Sequence, residues 1–140
     1  MRYLVTGSQM RAIDQDTIQN IGIPSLVLME RAAECVARKA EQLCDQKTLQ
    51  ILAICGVGNN GADGVAAARM LYLHGFDVLV VVVGNEAHAT KEFEVQKGIA
   101  EKLEIPVVDW EHFLHGEDEP RDHRRSLWCW TFQRCGKNLC

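Results

Sequence analysis

The stretch Leu49-Gln50-Ile51-Leu52-Ala53-Ile54-Cys55-Gly56-Val57-Gly58-Asn59-Asn60-Gly61-Ala62-Asp63-Gly64 decides the fold. Leu49 to Cys55 is a short apolar run of the kind that forms a buried strand. Gly56 to Gly61 is a glycine-rich turn, and an alanine-rich helix is expected from about Ala62 to His74, capped by Gly75. Strand, glycine turn and helix in that order form the ligand-holding half of a doubly wound sheet. Glycines let the backbone bend sharply and let a ligand come close. The helix mouth offers free N–H groups and a positive dipole end, which suit a phosphate or another anion.

Downstream, Phe76 to Val83 is a continuous β-branched run, as expected of a parallel strand covered on both faces. Gly84-Asn85 turns the chain, a helix is expected over about His88 to Leu103, and Pro106-Val107-Val108 starts a third strand. Upstream, Thr6-Gly7-Ser8-Gln9 has the form of a capping box. Met10, Ile13, Thr17 and Ile21 follow at helical spacing, and Gly22 ends that helix. Pro24 suits the first turn of a second helix. Its apolar stripe is Ala33, Val36, Ala37, Ala40, Leu43 and Cys44. Tyr3-Leu4-Val5 is strand-like. The fold expected is α/β: a Rossmann-like three-layer α/β/α sandwich with a mainly parallel sheet, preceded by two N-terminal helices.

At 140 residues with 47 % hydrophobic content, the chain fits one domain with a real core. Formal charge is −4 and no Lys/Arg run stands out, which argues against nucleic-acid partners. The longest strongly apolar run, Val78 to Val83, is far below the roughly 18 residues of a membrane helix. A cytoplasmic protein is expected. The six cysteines form no CxxC pair, so zinc-ribbon and thioredoxin-type readings fail; Cys35, Cys44 and Cys55 read as reduced, packed thiols.

The loop is not an ordinary dinucleotide fingerprint. Gly58-Asn59-Asn60-Gly61 closes too early for GxGxxG, and the second strand ends Val83-Gly84-Asn85 without a ribose-binding acid. Asn59, Asn60 and Asp63 instead put two amides and a carboxylate at the helix mouth, where amide oxygens suit a hard cation or a sugar hydroxyl. Plainer readings compete: a tight connector for the loop, local turn hydrogen bonds for the asparagines, and a dipole-favoured charge for Asp63.

Gly56-Val57-Gly58-Asn59-Asn60-Gly61-Ala62-Asp63-Gly64 is similar to the G-x-G-N-N-G-G-D-G signature of the YjeF N-terminal domain family. Ala66-Ala67-Ala68-Arg69 resembles that family's following helix. Gly22-Ile23-Pro24-Ser25-Leu26-Val27-Leu28-Met29-Glu30 resembles its G-I-P-x-L-x-L-M-E segment, and Met10 to Asp14 fit its M-x-x-x-D pattern. The resemblance covers residues 1–116. It implies NAD(P)H-hydrate epimerase activity, an isomerase reaction that interconverts the R and S forms of hydrated NADH and NADPH at C6 of the nicotinamide ring with bound potassium. It further implies substrate contacts from Asn59, Asn60, Gly61, Ala62 and Asp63, potassium ligation by Asn60, and a homodimer. No catalytic residue is assigned: a positioned carboxylate is the natural acid/base, and the family's later aspartates and second glycine loop do not appear in this reading frame. The second function class is a non-catalytic nucleotide-binding or dimerising scaffold of the same fold. Two departures stand out: Arg31 and Ala33 replace the Asn and Gly of M-E-N-A-G, and Ala62 replaces a Gly, which is acceptable only if φ is negative there.

Residues 117–140 read as an out-of-frame tail with no domain of its own. Arg121 to Arg125 is a polar run, Trp128 and Trp130 crowd beside Cys129, Cys135 and Cys140, and no helical or strand period is visible. A forward shift by a single nucleotide forces a glycine from Trp128-Cys129 and another from Trp130-Thr131, with only Val or Ala between them. Codon choices then exist for V-I-I-D-A-L-F-G-V-G-L-S, the family's next motif. On this reading the C-terminal part of the domain is missing, a sheet edge is left open, and activity is impaired or lost.

Overall fold

The structure, a computed structural model, describes residues 4–44 and 50–115, together with the backbone of 128–131. Helix α1 spans Gly7–Asp16. Its capping box is complete: the Gln9 N–H donates to Thr6 Oγ1 at 3.3 Å, and the Thr6 N–H donates to Gln9 Oε1 at 2.8 Å. A π-helical turn, Thr17–Ile21, follows and ends at Gly22, whose φ of 85° supplies the left-handed cap that a β-carbon would disfavour. Leu4 and Val5 are exposed and form no strand. Helix α2 spans Ser25–Leu43. Pro24 stands at its N-cap rather than inside the first turn.

Strand β1 is Gln50–Gly56, helix α3 is Asn59–Leu73 and strand β2 is Asp77–Val83. The α3 C-terminus closes through Gly75, at φ 87°, while the Phe76 N–H donates to the Leu71 carbonyl at 3.1 Å. A 3-10 turn, Glu86–His88, capped by Asn85, leads to helix α4, Lys91–Lys102, capped by Thr90. Strand β3 is Val107–Asp109, the short helix α5 is Trp110–Leu114, and strand β4 is Trp128–Thr131. The expected helix at 88–103 therefore starts later, because Thr90 takes the cap.

The sheet is parallel throughout, in the order β3-β2-β1-β4. Alternation along the strands sorts two cores. Ile51, Ala53 and Cys55 of β1 and Val78, Val80 and Val82 of β2 face α2, α3 and α4. Small residues let these helices approach closely: Ala33, Ala37 and Ala40 of α2 and Ala62, Ala66 and Ala68 of α3 are all buried. Leu52, Leu79 and Val81 point to the opposite face, where Ile54, Val108 and Phe113 of α5 pack. This is the Rossmann-like three-layer order that the β-α-β-α-β alternation implied, with the extra helices in front.

Strand β4 corrects one expectation. The sequence showed no strand period there, yet Trp128–Thr131 pairs in parallel with Ile51–Ile54. Aromatic and β-branched residues suit a pleated strand, and four residues are too few to show a period. β1 is consequently an inner strand, with β3 and β4 at the edges of the described sheet. The rest of the tail, including His123, Cys135 and Cys140, lies outside the described residues, as does Leu49.

Candidate functional site

The chain runs β1 to β2 to β3 in one direction and then crosses to β4 on the other side of β1. The carboxyl ends of β1 and β4 therefore flank the switch point, where open α/β sheets bind ligands. Gly56 to Asp63 occupies that place.

Helix α3 begins three residues earlier than the sequence suggested. Gly58 is its N-cap, in extended conformation (φ −94°, ψ −172°) and without a side chain to cap the helix. Asn59, Asn60 and Gly61 form the first turn, so their N–H groups lack intrahelical acceptors. The Ala62 N–H is the first one used internally, donating to the Gly58 carbonyl at 3.0 Å. Asn59 is exposed and Asn60 half-buried, while Gly61, Ala62 and Asp63 are buried. The turn thus presents backbone N–H groups and two amide side chains at the helix mouth. Asp63, 7 % exposed, stands one turn deeper, where the helix dipole favours a carboxylate.

Left-handed backbone does not explain these glycines. Gly56, Gly58 and Gly61 all lack a positive φ. Gly61 is required by the protein itself, because a β-carbon there would meet the Gly56 carbonyl oxygen at 1.6 Å. Gly64 is similar: its β-carbon would stand 2.8 Å from Cys55 Sγ. Both seat the start of α3 directly on the end of β1. Ala62 has helical backbone, which accommodates its replacement of a glycine. Arg31 projects into solvent and pairs with Glu34 at 3.1 Å, and Ala33 is fully buried against the helical layer.

The site is braced from two sides. The Thr90 N–H donates to the Val57 carbonyl at 3.0 Å, tying the loop to the α4 cap. Gly84, at φ 124°, stands where an added β-carbon would touch the Val57 side chain at 3.5 Å. Below, Glu30 of α2 accepts from Arg69 Nη2 on both oxygens at 2.6 Å and from Gln96 Nε2 at 2.9 Å, joining α2, α3 and α4. Sequence reasoning did not find this cluster. Glu30 and Arg69 were visible inside quoted motifs, but their meeting is a tertiary fact. It also missed Asp109, Trp110 and Glu111 at the end of β3, where an apolar strand ending in an acid and an aromatic was the available signal.

The comparisons with known proteins fit this geometry. The NAD(P)H-hydrate epimerase of Limosilactobacillus fermentum is 48 % identical over 104 residues, covering 74 % of this chain and 50 % of that protein. That of Lentilactobacillus buchneri is 41 % identical over 111 residues, covering 77 % and 50 %. The chain thus spans about half the length of the curated relatives it matches. The crystal structure of the yeast protein ynu0 superposes with a TM-score of 0.71 over 79 % of this chain and 49 % of that one, at 24 % identity, and so shares the fold. Residues 25–121 match the family described as YjeF-related protein N-terminus, and the chain belongs to that family.

Proposed function

We propose that this chain carries the nucleotide-holding half of an NAD(P)H-hydrate epimerase site and interconverts the R and S forms of hydrated NADH or NADPH. The observation that carries the reading is the first turn of α3: three N–H groups without intrahelical acceptors, flanked by Asn59 and Asn60, at the switch point of a parallel sheet. The activity for which the relatives are named supports it.

In this reading Asn59, Asn60 and the Gly61 N–H hold the ligand's polar groups. The Gly61–Gly56 contact fixes the turn, so the donors are oriented before the ligand arrives. Ala62 and Asp63 contribute by shaping the turn from within. Asn60 would also hold potassium. The residues suit that ion: its ligands here would be amide and backbone carbonyl oxygens, the neutral donors a monovalent cation takes. Potassium would supply a fixed positive charge beside the ligand.

The test is chromatographic separation of (R)- and (S)-NADHX during incubation with the purified chain. Interconversion should exceed the buffer blank, fall on Asn60→Ala, and remain slower than with the longer Limosilactobacillus fermentum relative, of which this chain matches half. A rate equal to the blank contradicts the enzymatic reading. It would favour the scaffold reading, which has its own supporting observation: α1 and the π-helical turn bury no residue and expose Met10, Ile13, Ile18 and Ile21, an apolar face suited to a second copy. A melting temperature higher in potassium than in sodium chloride at equal ionic strength is expected for Asn60 as a ligand.

A further inference from the structure

The ends of β2 and β3 border an open cleft of about 390 Å³. Val83, Gly84 and Asn85 form one wall, and Asp109, Trp110 and Glu111 form the other. The cleft opens beside the site already described: a β-carbon on Gly84 would stand 3.5 Å from Val57 Cγ2 of the glycine loop. Neighbouring strands lie about 4.8 Å apart, so the far wall stands two spacings, or about 10 Å, from the end of β1. A nucleoside whose phosphate rests on the first turn of α3 spans that distance.

The chemistry of the walls is specific. Trp110 is 38 % exposed and braced by Phe113, with ring centroids 5.9 Å apart at 30°. A braced, part-open indole is a stacking platform for a base. Asn85 uses its Oδ1 to cap the Ala87 N–H at 2.9 Å, which leaves its amide N–H groups as donors. Asp109 accepts from the His112 N–H at 2.8 Å and also pairs with the His112 ring. Those bonds hold its carboxyl below the usual carboxylate range, so it stays ionised. Glu111 is exposed beside it. Carboxylates accept hydrogen bonds from ribose hydroxyls and repel a phosphate monoester, which carries roughly −1.5 to −2 at neutral pH. No Lys or Arg stands among the described lining residues to offset that repulsion.

We infer that this cleft holds the adenosine half of the dinucleotide, base against Trp110 and ribose against Asp109 and Glu111, and that it selects the NADH-derived ligand over the NADPH-derived one. The missing acid at the end of β2 is thereby replaced by two acids from the neighbouring strand end. The inference rests on the proposed function for the identity of the ligand, but its test does not.

The probes are 5′-AMP and adenosine 2′,5′-bisphosphate, which lack the nicotinamide, titrated into the full chain by calorimetry and by saturation-transfer NMR of the adenine protons. The adenine protons of 5′-AMP should receive saturation, and the bisphosphate should bind at least about fivefold more weakly. Trp110→Ala should weaken 5′-AMP about tenfold, while Trp110→Phe retains most of the affinity. Glu111→Lys, at an exposed position, should bring the bisphosphate level with 5′-AMP or above it. Equal affinity for the two probes, or indifference to either Trp110→Ala or Glu111→Lys, overturns the inference. If NADHX is epimerised while 5′-AMP does not bind, the cleft assignment fails and the enzymatic reading stands. If 5′-AMP binds in a Trp110-dependent way without epimerisation, the cleft stands and the enzymatic reading fails.

Discussion

Gly61 lies so close over Gly56 that a β-carbon on Gly61 would meet the Gly56 oxygen at 1.6 Å, its carbonyl carbon at 2.5 Å and its nitrogen at 3.0 Å. All three atoms are backbone, so no side chain can swing aside. The helix must lift off the strand. Gly61→Ala should cost about 3 kcal/mol and abolish ligand binding, because the displaced turn carries the donors. Urea denaturation followed by circular dichroism measures the first, and titration with NADHX the second. A stability change under 1 kcal/mol would contradict the contact.

Gly64 offers a graded version of the same test. Its added methyl would stand 2.8 Å from Cys55 Sγ, the far end of a buried side chain. Gly64→Ala should destabilise by about 1–3 kcal/mol. In a Cys55→Ala background that cost should shrink by about 1 kcal/mol or more, a coupling that a double-mutant cycle reads directly. Strict additivity of the two substitutions would rule out the clash.

Burial pushes the Cys55 thiol up to about 12. The native state therefore favours the neutral thiol. That contribution to stability is fully present below the ordinary thiol range and is lost as pH rises toward 12. At pH 8 the native protein should leave Cys55 unmodified by iodoacetamide, whereas half-buried Cys35 reacts first among the described cysteines. Peptide mass spectrometry after timed alkylation distinguishes them, and labelling of Cys55 at the rate of Cys35 would contradict the packing.

Glu30 satisfies Arg69 and Gln96 together, and the Arg69 side chain is only 14 % exposed against 39 % for Glu30. Arg69 Nε and Gln96 Oε1 already lack partners within the described structure. Glu30→Ala removes the remaining anion and leaves the guanidinium unpaired. The expected loss is about 2 kcal/mol, reduced from the fully buried case because Glu30 is partly solvated. The double variant Glu30→Met/Arg69→Met should recover part of it in thermal unfolding. A double variant as unstable as the sum of the single ones would contradict the pairing.

Much of the fold was readable from local rules. The Thr6–Gln9 box, the left-handed glycines at 22 and 75, and the apolar runs of β1 and β2 all state their roles within a few residues. The start of α3 was hidden because Gly58-Asn59-Asn60-Gly61 has the composition of a turn, and only packing on β1 keeps those residues helical. For the same reason Gly61 reads in the sequence as room for a ligand, when it makes room for the protein. The Glu30–Arg69–Gln96 cluster and the Trp110 cleft join residues far apart in sequence, which no local pattern reports. Strand β4 was missed because its four residues gain their order from the edge of β1.

The most direct test of the account is an amide chemical-shift titration of the labelled chain with NADHX in potassium buffer. Saturable shifts are expected to be largest at Asn59, Asn60 and Gly61, with a second group at Asp109, Trp110 and Glu111. Saturable shifts elsewhere that leave Gly56 to Asp63 untouched, or no saturable shifts at all, would contradict it.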